Sequence, residues 1–128
     1  MLENDAEIPM IQAPEPASAY DSTTMNLHLT VPRAALSAFC VRWSVAEVAV
    51  FGSALGPRFG PHSDVDLLVT PQPGVNWSLL EEVDMREELA GLFGRPVDLL
   101  VRSAVERSPN WIRRREILST AEPIYATG

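Results

Sequence analysis

Asp64 and Asp66 stand two residues apart in Asp64-Val65-Asp66-Leu67-Leu68-Val69, a run that reads as a largely buried strand. Successive strand residues point to opposite faces, so the two carboxylates share one face while Val65 points into the core. Close carboxylates repel and raise one another's pKa unless a positive charge sits between them. A hard divalent cation supplies that charge, and Mg²⁺ prefers a few carboxylates together with phosphate oxygens and water. Asp98 lies in a second apolar run, Val97-Asp98-Leu99. A lone buried charge there would be costly, so Asp98 should face a site or a partner. The third feature is Gly52-Ser53, at the end of Glu47-Val48-Ala49-Val50-Phe51. Glycine lets the backbone approach a ligand closely, and Ser53 begins a helical turn whose N–H groups and dipole favour anions. Such parts would hold a triphosphate against a carboxylate face loaded with two Mg²⁺ ions. One ion would activate an attacking oxygen and the other would stabilise the leaving pyrophosphate. An Asp-x-Asp alone reads equally well as a solvated strand edge; the combination favours a site.

These residues need a sheet. Glu47 to Phe51, Asp64 to Thr70 and Pro96 to Val101 read as three strands, and Leu27, Leu29 and Val31 alternate as a possible short fourth. Leu36, Phe39, Cys40 and Trp43 recur at helical spacing after Pro32, which suits a first helical turn. Gly56, Pro57, Gly60 and Pro61 leave room for about one helical turn after Ser53. Ser78 and Glu81 form a capping box for a helix that runs to Phe93 and stops at Gly94. A last helix is expected from Trp111 to Tyr125, burying Ile117, Leu118, Ala121, Ile124 and Tyr125, with Pro123 kinking its end. The expected fold is α/β (α+β): a small mixed sheet of three to four strands with helices packed on one face. Residues 1–24, with Pro9, Pro14, Pro16 and no basic residue, read as a disordered tail preceding one domain over 25–128.

Phe51-Gly52-Ser53, the run from Phe59 to Val69 and Gly94-Arg95-Pro96-Val97-Asp98-Leu99 together resemble the minimal nucleotidyltransferases of the DNA polymerase beta-type superfamily. The resemblance covers about residues 33–126, including Trp111-Ile112-Arg113-Arg114-Arg115-Glu116-Ile117-Leu118. It implies that Asp64, Asp66 and Asp98 are catalytic and bind metal, and that Gly52, Ser53 and Ser63 contact the nucleotide. The family's best understood members are antitoxins paired with HEPN-domain toxins, and active members transfer AMP from ATP to a toxin tyrosine. The resemblance therefore implies a Mg²⁺-dependent protein adenylyltransferase in a type VII-like toxin–antitoxin pair. The alternative is a weakened relative that neutralises its toxin by binding alone. In this loop the family often carries an Arg three residues past the Ser; here Gly56 stands there, with Arg58 two residues later.

Composition narrows the partners. The 128 residues carry a formal net charge of −7, which argues against broad nucleic-acid binding. No apolar run reaches the roughly 20 residues of a membrane helix. Glu3, Asp5 and Glu7 stand where an export signal would be positive, and the single Cys40 fits a reducing cytoplasm. All ten basic residues are Arg. Several residues read more simply as structure: Cys40 and Tyr125 as core, His62 as an exposed loop residue and Ser63 as a turn residue; Arg113 to Arg115 read as contacts for phosphate or an acidic partner or, in preference, as a solvated face. Trp77 and Trp111 are candidates for a partner surface.

Overall fold

The first helix, α1 (Arg33–Trp43), follows Pro32 and buries Leu36, Phe39 and Cys40, as the spacing predicts. The computed structural model describes residues 29–127. The tail expected over 1–24, and Leu27, lie outside the described residues. Leu29 and Val31 pack against the core but form no strand.

Ser44, in left-handed conformation at φ 58°, turns the chain into β1 (Val45–Phe51). A single 3₁₀ turn (Gly52–Leu55) follows, and the Gly/Pro loop returns as β2 (Val65–Pro71). Helix α2 (Leu79–Phe93) begins at the expected capping box, with Ser78 accepting from the Glu81 N–H and Glu81 accepting from the Ser78 N–H. It ends at Gly94, which is left-handed at φ 70°. Removing this cap by Ser78→Ala is expected to cost about 1 kcal/mol, read as a lower denaturation midpoint at unchanged slope. Strand β3 (Val97–Val101) comes next, then the short α3 (Arg102–Glu106), α4 (Trp111–Thr120) and β4 (Glu122–Ala126).

The four strands lie in the order β3-β2-β1-β4. β1 pairs antiparallel with β2 and β4, while β2 and β3 are parallel, joined by the α2 crossover. The sheet is mixed, as expected. Its C-terminal strand corrects the expected long last helix, which stops at Thr120. Pro123 has no N–H to give a helix, and it disfavours helical backbone in the residue before it. An edge strand tolerates it, and Pro123 pairs with Ala49 at the outer edge of the sheet. Ile124 and Tyr125 thus reach the core from a strand.

Helices α1 and α2 cover one face, where Phe39, Leu36, Met85 and Leu89 meet Val48, Val50, Val65, Leu67 and Val69. Glu88 joins the two helices, accepting from the Trp43 indole at 2.9 Å and pairing with Arg42. Cys40 is in this core, and burial pushes its thiol up to about 12. Helices packed on one face were expected; the short α3 and α4 add a smaller layer on the other, where Val105 and Ile117 meet Ala49, Phe51 and Leu68.

Candidate active site

Asp66 and Asp98 lie on this second, thinly covered face. Strand alternation puts Val65 and Leu67 in the main core and turns Asp66 the other way, with Leu68. Asp98 is the direct register partner of Asp66 across the parallel β2–β3 pair, and Phe51 is its partner in β1. Asp64 sits one residue ahead of β2, which begins at Val65. The structure therefore brings the three carboxylates to one end of the sheet, beside the Gly52-Ser53 turn.

The backbone of that turn presses on Asp66. Gly52 is left-handed at φ 74°, and a Cβ there would lie 2.3 Å from Asp66 Oδ2. The Ser53 N–H donates to the Asp66 carboxylate, and the Ser53 hydroxyl approaches the Asp64 carbonyl at 3.4 Å. Burial pushes the Asp66 carboxyl above its ordinary range, and the charges of Asp98 and Asp64 push the same way. The Ser53 N–H and the Arg113 guanidinium pull against them. A bound cation would relieve the same crowding. Among the described residues no three acidic, His or Cys side chains converge into an ion cage. The donor set fits Mg²⁺ nonetheless, because Mg²⁺ is commonly held by one or two carboxylates and completed by substrate phosphate and water.

The connecting loop is pinned from the turn that leads into β3. Arg95 donates to the carbonyls of Gly60 at 2.8 Å and Ser63 at 3.1 Å, and its guanidinium lies 4.4 Å from the centre of the Phe59 ring. The Ser63 hydroxyl accepts the Gly60 N–H at 3.0 Å, the turn role read from the sequence. His62 is exposed, as expected. Arg95→Ala is expected to speed amide exchange at Gly60 and Ser63 by about tenfold or more, since hydrogen bonds from a charged donor stabilise by roughly 1.5–3 kcal/mol. Unchanged exchange would show that the loop holds itself.

A cleft of about 460 Å³ adjoins the turn, lined by Phe51, Gly52 and Gly56 on one side and Arg113, Glu116 and Ile117 of α4 on the other. From the sequence, Arg113 reads as part of a solvated face in preference to a contact with phosphate or an acidic partner. It is solvent-accessible, but it faces the site, because Ile117 one turn on is buried under the sheet and carries Arg113 round with it. That i, i+4 relation to Ile117 was a legible signal. Arg114 instead donates to the Ser108 carbonyl. Trp77 is a packing residue, its indole donating to the Trp43 carbonyl at 3.0 Å, whereas Trp111 remains 57% exposed.

A mixed sheet carrying paired aspartates beside a glycine-serine turn is the frame of a phosphate-handling domain. A family model described as nucleotidyltransferase domain matches residues 33–122, and the chain belongs to that family. It is 37% identical over 65 residues to the protein adenylyltransferase MntA of Thermococcus cleftensis, a match covering 51% of this chain. The match spans 64% of that relative's length, just under two thirds. A solved minimal nucleotidyltransferase is 32% identical, with a TM-score of 0.53, covering 70% of this chain and 85% of the other. The fold is also shared with the MNT antitoxin solved with a tri-AMPylated HEPN toxin of Shewanella oneidensis. That likeness has a TM-score of 0.52 at 15% identity, covering 75% and 71% of the two chains.

Proposed function

We propose that this chain is a Mg²⁺-dependent nucleotidyltransferase that moves AMP from ATP to a tyrosine of a cognate HEPN-domain toxin in the cytoplasm, and so acts as its antitoxin. The observation that carries the reading is the Asp66–Asp98 register pair, crowded by Asp64 and backed by Gly52-Ser53. In this reading Asp64, Asp66 and Asp98 would supply the carboxylates that hold the metal, with substrate phosphate and water completing its shell. Bound Mg²⁺ would make the acceptor hydroxyl a better nucleophile and neutralise charge on the departing pyrophosphate. Gly52 lets the triphosphate approach the backbone, and Ser53 and Ser63 border the same turn. Asp98, at the exposed end of the row, faces the incoming hydroxyl. The bond formed is from the acceptor oxygen to the α-phosphorus, and pyrophosphate leaves.

The relatives support the acceptor: one is named a protein adenylyltransferase, and another was solved beside a tri-AMPylated HEPN toxin. Trp111 and Ile112, 57% and 63% exposed, begin α4 next to the cleft and offer an apolar surface for such a partner. The test mixes the chain with ATP, Mg²⁺ and a candidate cognate HEPN protein from the same genome, and reads the intact mass of the toxin. An adenylate gain, lost with Asp64→Ala, is expected. No gain with the true partner overturns transfer. Protection of cells by a chain carrying Asp64→Asn and Asp66→Asn would make binding alone the mechanism.

A further inference from the structure

Electrostatics at the cleft leave one task unassigned. A triphosphate carries several negative charges, and it must approach three aspartates on a chain of net charge −7. The Ser53 N–H, the obvious backbone donor, is already given to Asp66. Bound Mg²⁺ would neutralise part of the phosphate charge, and a cationic side chain is the natural source of the rest.

Among the described residues, Arg113 is the one cation lining the cleft beside Gly52 and Gly56. It shares the cleft lining with Gly52, whose backbone lies against the Asp66 carboxylate, and its positive charge acts on that carboxylate. Among the described residues that guanidinium makes no hydrogen bond or salt bridge, whereas Arg95 and Arg114 are committed to loop carbonyls. Helix α4 holds it without its help, through Ile117 beneath the sheet and Asn110, whose side chain caps the Arg113 backbone N–H. Arg58, nearer to Ser53 in the chain, does not line the cleft. Glu116, the one acid in the lining among the described residues, lies about a helical turn further along α4.

We propose that Arg113 is the phosphate-binding arginine of this site, reaching the triphosphate from α4 across the cleft from the Gly52-Ser53 turn. The inference rests on the nucleotidyltransferase reading. A planar guanidinium suits two phosphate oxygens at once.

The test is titration calorimetry in Mg²⁺ with ATP and with inorganic tripolyphosphate, on the unsubstituted chain, Arg113→Ala and Arg58→Ala. Arg113→Ala is expected to weaken both ligands by about tenfold or more with an unchanged melting temperature, and Arg58→Ala to leave both within about twofold. Unweakened binding by Arg113→Ala, or the same loss in Arg58→Ala, overturns the assignment to Arg113 and leaves the function standing. A loss for ATP without one for tripolyphosphate also overturns it, since Arg113 would then read the nucleoside. If the unsubstituted chain binds neither ligand, the nucleotidyltransferase reading falls, and this inference with it.

Discussion

Asp66→Asn is expected to lower nucleotidyl transfer on the order of 10³-fold or more, while the folded protein becomes no less stable. Asparagine keeps the shape of the side chain and can still accept from the Ser53 N–H. It lacks the negative charge that a cation needs. Burial and the neighbouring Asp98 and Asp64 hold the Asp66 carboxyl above its ordinary range. The folded chain thus keeps this proton to a higher pH than the unfolded chain does. The corresponding stability is present below the unfolded value, roughly pH 4, and is lost as pH rises through the folded one. At neutral pH the ionised carboxylate opposes the fold, and asparagine removes the opposition. The melting temperature of Asp66→Asn should match the parent near pH 4 and rise relative to it towards pH 7. Transfer at a rate near the parent's would remove Asp66 from the chemistry. A melting temperature that falls below the parent's at pH 7 would instead give it a structural role.

Gly52→Ala should damage the same site through the backbone. A left-handed residue with a Cβ costs about 1–2 kcal/mol, and here that Cβ would stand 2.3 Å from Asp66 Oδ2. The carboxylate must move, and a misplacement of about 1 Å can cost on the order of 10²-fold in rate. Gly74 separates the two effects. It is also left-handed, at φ 84°, but among the described residues nothing lies within 4 Å of a Cβ built there. Gly74→Ala should therefore lose comparable stability, read by denaturant midpoint, with transfer unchanged. If both variants lose transfer equally, the contact of Gly52 with Asp66 is not what matters. This is the stronger test of why glycine stands before Ser53.

Local signals carried most of the architecture. The box of Ser78 with Glu81, the stop at Gly94 and the apolar face of α1 are short-range rules, and each element formed where its residues satisfied them. The C-terminal stretch misled for the opposite reason. Ile117, Ala121 and Ile124 have helical spacing, yet Pro123 cannot be carried in a helix and the open edge of β1 offers the chain hydrogen bonds. That edge is a tertiary fact. Arg113 was obscured in the same way, since three adjacent arginines look alike until the sheet fixes which one turns inward.

The aspartates mark the boundary most clearly. Residue types and spacing determined that Asp64, Asp66 and Asp98 belong with Gly52-Ser53, because alternation along a strand is local and a charge in an apolar run needs a reason. Only the tertiary structure decided how they meet. The parallel register of β2 and β3 sets Asp66 directly beside Asp98, and the antiparallel turn out of β1 lays the Gly52 backbone on the Asp66 carboxylate. It also places the cleft beside Gly52 on the face covered by α4, where Arg113 stands. The pairing of β2 with β3 joins Asp66 to a residue 32 positions further along the chain, and no periodicity along the chain encodes which partner a strand will take.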